Sequence, residues 1–243
     1  MSGLTSEAAG LCRTLILAKA PIPGTVKTRL IPALGAEGAA ALAAAMLQRT
    51  VAMAIEAALG PVELCAAPCL GLPLWQELVL PPQLEWSEQG EGDLGARMAR
   101  AARRTLQGGE PVLLIGTDCP GLGTIQLRKA AAQLRHHEAA LLPTLDGGYA
   151  LLGLRRFHVA PFEAMPWSTA QVFAETCRRL TAIGWSWQGQ PPLADIDIPD
   201  DLAHLNGELR DLALQWMRAS TCSPRGPACA MLDSAEAASG HVP

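Results

Sequence analysis

The stretch LILAKAPIPGTVKTRL, Leu15 to Leu30, joins an apolar run to a proline-stiffened basic loop. The segment at 13–18 is rich in β-formers and continuously apolar from its third residue, which is typical of a strand buried on both faces. Pro21 and Pro23 restrict the backbone, and Gly24 permits a turn that a side chain would block. The loop carries three cations, Lys19, Lys27 and Arg29. The sequence therefore predicts a buried first strand that leads into a stiff basic loop.

Strand-like and helix-like segments alternate through the first two-thirds of the chain. This order predicts an α/β fold with a Rossmann-like, mostly parallel sheet and helices on both faces. Further strands are predicted at 62–67, 84–89, 112–118, 139–144, 149–154 and 184–189. Helices are predicted at 36–59, 93–106 and 125–137, from a capping box at 168–171 to about 182, and from 199 onward. One domain is expected over 1–218, followed by a disordered tail over 219–243 that holds Cys222 and Cys229.

Composition excludes several classes of protein. The chain has 243 residues, 49% of them hydrophobic, and a net charge of −4, which argues against a general nucleic-acid binder. A basic loop in an acidic protein suggests a small anionic ligand instead. The seven cysteines are odd in number and predict no disulfide framework; Cys65 and Cys69 are expected to be buried, reduced thiols. Neither a signal peptide nor a membrane span is expected, so the predicted location is cytoplasmic.

The predicted sheet brings the basic loop close to an aspartate. Ligands of such sheets bind beyond the carboxyl ends of the strands. The basic loop follows the first strand and GTDCP follows the strand VLLIG, so Lys19, Lys27, Arg29 and Asp118 are expected in one crevice. Lysine and arginine meet phosphate oxygens, and a strand-end aspartate suits Mg²⁺. A Walker A loop is excluded. A solvated loop and a turn-capping Asp118 are the plainer alternatives.

Four further acidic positions, Asp93, Asp146, Asp195 and Asp197, have plain structural interpretations as well as functional ones. In ADIDIPDDL, Asp195 and Asp197 would point the same way from an extended chain, which suits a second metal carboxylate, but Asp197 also suits an N-cap. Asp146 precedes two glycines, which by itself indicates a hairpin turn between two strands. Asp93 is by itself a predicted helix cap.

Six stretches in order carry a resemblance that runs from about residue 14 to 205. They are AKAPIPGTVKTRL, QGEGDLGARM, GTDCPGL, PTLDGGYALLGL, MPWSTAQVFAET and DIDIPDDL. The sequence resembles the radical-SAM/selenodomain-associated transferases of the DUF2064 type, which are similar to nucleotide-diphospho-sugar transferases and to arsenosugar-type glycosyltransferases. The resemblance implies a GT-A fold that binds a nucleotide together with Mg²⁺ or Mn²⁺.

The resemblance also implies roles for individual residues. Nucleotide or phosphate binding is implied for Lys19, Pro23, Gly24, Lys27, Arg29, Asp93 and Arg97. Metal ligation is implied for Asp118 and Asp197. Acceptor binding is implied for Gly147, Gly148, Tyr149, Trp167, Ser168 and Thr169. Lys27, Arg29 and Asp146 are the catalytic candidates: the cations would neutralise charge on phosphate, and the carboxylate would orient or deprotonate the acceptor.

The predicted function is that of a metal-dependent, glycosyltransferase-like enzyme. It would use a nucleotide or nucleotide-sugar donor and a small-molecule acceptor, with no nucleic acid and no membrane as partner. One alternative is a nucleotidyltransferase that passes a guanylyl or cytidylyl group to a small phosphate or carboxylate and releases pyrophosphate. The other is a non-catalytic module that binds a nucleotide or a sugar.

Overall fold

A computed structural model describes residues 12–221, which contain one seven-stranded sheet in the order β3-β2-β1-β4-β6-β5-β7. The strands are β1 (Arg13–Lys19), β2 (Val62–Ala67), β3 (Glu85–Glu88), β4 (Val112–Ile115), β5 (Ala139–Pro143), β6 (Tyr149–Leu154) and β7 (Trp187–Gly189). The helices are α1 (Ile31–Glu56), α2 (Leu74–Glu77), α3 (Leu94–Gln107), α4 (Thr124–Gln133), α5 (Val172–Ala182) and α6 (Gly207–Thr221). The predicted fold class is confirmed. The expected absence of a signal peptide, and Cys222 and Cys229, concern residues outside this range.

Four parallel strands form the half of the sheet that positions the site. β1 lies at its centre and pairs in parallel with β2 on one side and β4 on the other, while β3 pairs in parallel with β2. The carboxyl ends of all four therefore meet at one edge. β6 runs antiparallel to β4 and forms the predicted hairpin with β5. All residues of β2 and β4 are buried, as continuous apolar runs require in a sheet covered on both faces.

Helices cover both faces because neighbouring strand residues point to opposite sides. Ile16 and Leu113 face α1 and α4, whereas Leu15 and Leu114 face α3 and α5. A third apolar cluster lies between α1 and α6, so α6 packs outside α1.

One helical segment of the described chain, Thr28–Glu56, is long and apolar enough to match a membrane span by length and composition. Its side chains are packed against protein: Leu47 and Val51 contact the sheet side of the core, and Leu34 and Leu42 contact the cluster beneath α6. Its hydrophobicity is that of a core helix with neighbours on both sides.

Two helix starts differ from the prediction. α1 begins at Ile31, before the expected residue 36, and continues past Gly35, whose φ of +73° interrupts the helical backbone. The predicted capping box at 168–171 is wrong. Ser168 has a φ of +62° and therefore cannot act as an N-cap, and α5 begins at Val172 without a side-chain cap.

The last predicted helix is two elements. A 3₁₀ helix spans Pro199–His204, and α6 follows after a break. Asp197 is not the N-cap: the Asp201 carboxylate accepts hydrogen bonds from the backbone N–H groups of Asp197 and Ile198, each at 2.8 Å. This leaves the Asp197 side chain free for other contacts. α6 continues through Thr221, so its end lies beyond the predicted start of the tail at 219.

The five described cysteines are all free thiols. Cys12, Cys65 and Cys119 are buried, and burial raises the pKa of Cys65 to about 11. The expected burial is confirmed for Cys65 on β2 and wrong for Cys69, which is exposed in the segment after β2 ends at Ala67.

We predict that Gly38→Val destabilises the protein. A Cβ at Gly38 of α1 would lie 2.8 Å from the Cβ of Trp216 on α6, which is closer than packed carbon atoms approach. We expect the free energy of unfolding to fall by about 2 kcal/mol, as for other overpacked sites, although valine favours a helix more than glycine does. Urea denaturation measures this change. Gly71→Val is the matched control, since a Cβ there meets nothing within 4 Å; equal losses in both variants would contradict the prediction.

Candidate functional site

A cavity of about 620 Å³ lies across the carboxyl ends of the parallel strands. Its wall contains residues from β1 and its loop, from the segment after β3, from the start of α3 and from the end of β4. Of the residues predicted from sequence, the cavity brings together Lys19, Lys27, Arg29, Asp93, Arg97, Asp118, Tyr149, Ser168 and Asp197. These residues come from distant parts of the chain, and the parallel sheet places them together.

Lys27 lies between the two carboxylates predicted to bind a metal. Its Nζ forms an ion pair with Asp118 Oδ1 and a second with Asp197 Oδ1 at 3.0 Å, and it donates a hydrogen bond to the backbone carbonyl of Ile196 at 2.6 Å. The Lys27 side chain is 7% exposed, while those of Asp118 and Asp197 are 50% and 45% exposed. The carboxylates therefore converge from two segments on one ammonium group and keep faces open to the cavity.

The electrostatics of this triad keep Lys27 charged. Burial alone would lower the pKa of Lys27, but the charges of Asp118 and Asp197 raise it overall. Its backbone lies in the left-handed region at a φ of +47°, which disfavours residues that have a side chain. The contacts of its ammonium group oppose that cost and fix the basic loop over the strand ends.

Lys19 and Arg29 line the same cavity, and within residues 12–221 neither side chain forms an ion pair or a hydrogen bond. Both residues are exposed. The cavity therefore holds two uncompensated positive charges, which suits an anion with several oxygens, such as a diphosphate. Pro23 and Gly24 do not line the cavity; they form the turn that brings the loop back, with Gly24 at a φ of +78°.

A loop of defined shape follows β3 and borders the cavity on the side away from Asp118. Asp93 caps α3 as predicted, its carboxylate accepting from Ala96 N at 2.8 Å. Arg97 donates to the carbonyl of Gly92 at 2.9 Å, and Arg100 donates to the carbonyls of Gln89 and Glu91. These bonds hold the loop backbone in place, so that Asp93 and Arg97 position this wall of the cavity.

The DGGY turn is a structural turn with little cavity surface. Asp146 Oδ1 accepts from Thr144 Oγ1 at 2.5 Å and from Gly148 N at 2.9 Å, which closes the turn between β5 and β6. Neither Asp146 nor the glycines that follow it line the cavity; only Tyr149 does. Trp167 and Thr169 also lie outside the cavity wall, whereas Ser168 lines it.

Two residues of interest are absent from the set chosen from sequence. Burial and the nearby charge of Asp146 raise the pKa of Asp195 to about 6. Gln89 is buried and lines the cavity directly after β3. The alternation of Asp and Ile in ADIDIP is a sequence signal for Asp195. Gln89 directly follows β3, so the strand-end rule would predict it as a cavity residue when applied to β3 as well as to β1 and β4.

Comparison with known proteins supports the fold. A family model described as "Uncharacterized protein conserved in bacteria (DUF2064)" matches residues 50–169. A structure from Desulfovibrio desulfuricans G20, described as that of a proposed nucleotide-diphospho-sugar transferase, is 28% identical, with a TM-score of 0.78 over 86% of this chain and 98% of that one. No curated protein sequence matches this chain significantly.

Two enzymes of known name share the fold at low identity. CMP:2-keto-3-deoxy-manno-octonic acid synthetase complexed with CTP is 12% identical, with a TM-score of 0.51 over 84% of this chain and 99% of that one. The 4-diphosphocytidyl-2C-methyl-D-erythritol synthase of Anaerococcus prevotii DSM 20548 is 10% identical, with a TM-score of 0.54 over 80% and 96%. The chain thus has the fold of nucleotide-diphospho-sugar transferases and nucleotidyltransferases. The link to radical-SAM, selenodomain and arsenosugar proteins stays a prediction.

We predict that Gly147→Ala destabilises the DGGY turn strongly. Gly147 has a φ of +91°, and a Cβ there would lie 2.6 Å from the backbone carbonyl carbon of Ala170. Gly184→Ala is the control, because Gly184 also has a positive φ, +71°, but a Cβ there meets nothing within 4 Å. We expect Gly184→Ala to cost about 1 kcal/mol and Gly147→Ala clearly more. Chemical denaturation compares the two; equal costs would show that the approach to Ala170 is unimportant.

Proposed function

We propose that this protein is a metal-dependent transferase that binds a nucleotide-activated donor, in the manner of a glycosyltransferase, and passes its group to a small acceptor. The observation that carries the proposal is that one cavity contains both kinds of charge. Its wall carries two free cations, Lys19 and Arg29, and two carboxylates, Asp118 and Asp197. A donor with a diphosphate and a bound cation needs both kinds of group. The Desulfovibrio protein is described as a proposed nucleotide-diphospho-sugar transferase, which agrees with a nucleotide-activated donor.

The donor set fits a hard divalent cation such as Mg²⁺ or Mn²⁺. Asp118 and Asp197 offer carboxylate oxygens with about half of each side chain exposed. Within residues 12–221 no group of three or more His, Cys, Asp or Glu side chains could hold a metal. A cation would therefore rely on these two carboxylates, with phosphate oxygens and water as its other ligands, as Mg²⁺ commonly does. When bound, it would polarise the phosphate oxygens as a Lewis acid.

The chain's own residues account for binding and charge stabilisation. Arg29 can hold two phosphate oxygens with its planar fork, and Lys19 adds a point charge at the end of β1. Both would stabilise the negative charge that builds on a departing diphosphate. Lys27 is already charged and lies between the carboxylates, so it would hold them close together by offsetting their repulsion before the donor binds.

The acceptor would lie on the side of Tyr149 and Ser168, which line the cavity, with Asp146 outside the cavity wall in the adjoining turn. Within the turn, Asp146 Oδ1 accepts hydrogen bonds from Thr144 and Gly148. As a base, Asp146 would therefore act through its other carboxylate oxygen, Oδ2. Burial raises the pKa of the Tyr149 phenol well above its usual range, so this hydroxyl would donate to an acceptor and not deprotonate it. Ser168 is the other polar group of this side that lines the cavity.

Nucleotidyl transfer is the second candidate. The position of Lys27 and Arg29 in one loop suits a leaving pyrophosphate, and the two low-identity enzymes named above show that the fold serves that chemistry in other proteins. The two candidates differ in the product released from the donor, which is a nucleoside diphosphate in one case and pyrophosphate in the other.

We predict metal-dependent stabilisation by nucleoside diphosphate sugars. A ligand that binds only the folded state raises its stability by about 2.7 kcal/mol at 100 times its Kd. Thermal unfolding is measured with a panel of nucleoside diphosphate sugars and nucleoside triphosphates, each with and without MgCl₂ or MnCl₂. We expect the nucleoside diphosphate sugars to raise Tm, and we expect the largest rise when MgCl₂ or MnCl₂ is present. In Asp118→Asn, we expect the additional rise that the metal causes to be lost. Asp200→Asn, an exposed carboxylate near Asp197, is the control that should behave as wild type.

The same panel decides between the candidates. Selective stabilisation by triphosphates together with release of pyrophosphate would replace glycosyl by nucleotidyl transfer. Binding without turnover, and without any effect of Asp118→Asn, would indicate a non-catalytic module. A lack of stabilisation by every nucleotide would overturn the proposal.

We also predict that Arg29→Met weakens binding of inorganic pyrophosphate by about 10-fold or more, since a hydrogen bond to a charged group contributes about 1.5–3 kcal/mol. Isothermal titration calorimetry in the presence of MgCl₂ measures the affinity. Lys129→Met is the control, because Lys129 is exposed on α4 and does not line the cavity. Equal affinities in the two variants would remove Arg29 from the phosphate site.

A further inference from the structure

Gln89 is a buried polar residue at the carboxyl end of β3. It is 5% exposed, and its backbone N–H extends the ladder by donating to the carbonyl of Ala66 on β2 at 2.9 Å. It also lines the main cavity. A buried amide side chain is stable only when its hydrogen-bonding groups are satisfied, so the partners of each atom show what it can do.

The Gln89 amide has a fixed orientation. Its Nε2 donates to the carbonyl of Ala18 at 3.0 Å and to the carbonyl of Cys65 at 2.8 Å, which uses both of its hydrogens. Two carbonyl partners identify this end of the amide as nitrogen, because an oxygen there could donate to neither. Arg100 holds the backbone carbonyl of the same residue. Neither the side chain nor the backbone can turn without the loss of bonds.

The other end of the amide is left as an acceptor. Within residues 12–221 nothing donates a hydrogen bond to Gln89 Oε1, and this oxygen is not among the fully enclosed atoms that lack a partner. Because Nε2 is held by two strand-end carbonyls and Gln89 lines the cavity, Oε1 is available to accept a hydrogen bond from a ligand there. Gln89 thus provides a fixed acceptor with no partner in the described part of the protein.

The position of this acceptor matches the base of a nucleotide whose phosphates meet the basic loop. Ala18, which accepts from Gln89, is the neighbour of Lys19 in β1. The Gln89 amide bonds to carbonyls at the carboxyl ends of β2 and β1, and β4 lies on the opposite side of β1. Gln89 is thus on the β2 side of the basic loop, and Asp118, after β4, is on the other side.

An apolar surface accompanies the acceptor. Leu94, at the start of α3, is 45% exposed and lines the cavity together with the buried Met98. An exposed leucine and a fixed amide in the same cavity provide a face for a flat ring and a partner for its edge, the combination that binding of a small polar ring requires.

We propose that Gln89 determines the base specificity of the nucleotide site, with Oε1 accepting a hydrogen bond from an N–H group on the Watson–Crick edge of the base. This inference rests on the proposed function. A fixed acceptor in a buried place rejects a ring that lacks the donor, because the acceptor loses water and gains no partner. Gln89 is a specificity residue, and it takes no part in the transfer step.

The first test uses the wild-type protein with MgCl₂. Calorimetry gives its affinity for inorganic pyrophosphate and for the diphosphates of adenosine, guanosine, cytidine and uridine. The nucleoside diphosphate that binds most tightly is then compared with its analogue in which the edge N–H groups carry methyl groups. We expect methylation to weaken binding by about 10-fold or more, the cost of an unsatisfied buried acceptor. Equal affinity of the two nucleotides would overturn the inference.

The second test uses a matched pair of variants. Gln89→Met removes the acceptor together with the bonds of Nε2. Gln190→Met removes a comparable buried amide, whose Nε2 donates to the carbonyl of Gln126 at 3.0 Å, outside the cavity. We expect Gln89→Met to keep the affinity for pyrophosphate and to lose the differences between the four bases, and Gln190→Met to keep both. Retained base preference in Gln89→Met would contradict the inference.

The outcomes distinguish a failure of this inference from a failure of the proposed function on which it rests. If neither pyrophosphate nor any nucleotide binds, the proposed function fails, and base recognition fails with it. If nucleotides bind but neither methylation nor Gln89→Met changes the preference, only the role of Gln89 is wrong. If Gln89→Met does not fold, the affinity of the wild-type protein for the methylated nucleotide still tests the role of Gln89.

Discussion

The ion pairs of Lys27 connect three segments that are distant in the chain. The ammonium group contacts Asp118 after β4 and Asp197 before the last helices, and it donates to the carbonyl of Ile196. Ile196 N in turn donates to the carbonyl of Asp118 at 2.9 Å, so backbone and side chains form one network. Without the ammonium group, two neighbouring carboxylates would repel each other and the basic loop would lose its anchor. The shape of the cavity depends on this one cation.

The opposite end of the sheet is held by a second charged network. Glu63 on β2 has a side chain that is 3% exposed, and it pairs with Arg104 of α3 and Arg13 of β1. Burial alone would raise the pKa of Glu63, but hydrogen bonds from Arg104 and Ser87 lower it overall. α3 is thereby attached near its carboxyl end, while Arg97 and Arg100 attach its first turns to the loop after β3. Attachment at both ends is the reason that this loop can present side chains to the cavity in fixed positions.

The sequence predicts features that depend on periodicity and on strand ends. The strand predicted at 62–67 has its observed bounds, and the strand-end rule correctly places Lys19, Lys27, Arg29 and Asp118 in one crevice. Sequence patterns fail where tertiary contacts decide. Ser168 satisfies the pattern of a capping box but has a left-handed backbone, and the break between the 3₁₀ helix and α6 leaves no strong local signal. The distance between Lys27 and Asp197 in sequence also makes their contact unpredictable from spacing.

The order of the strands would fix the orientation of the proposed nucleotide donor. Of the charged side chains in this acidic protein, many are compensated: Arg13, Arg104, Arg178 and Arg179 have carboxylate partners. Lys19 and Arg29 keep their charges available, and they lie on the loop of β1, between the β3 end with Gln89 and the β4 end with Asp118. A phosphate group attracted to these two cations has an amide acceptor on one side and two carboxylates on the other. A molecule with an aromatic ring at one end and a metal-bound phosphate at the other can satisfy all three regions in only one direction. The asymmetry of the cavity therefore supports the proposed nucleotide donor over a free anion.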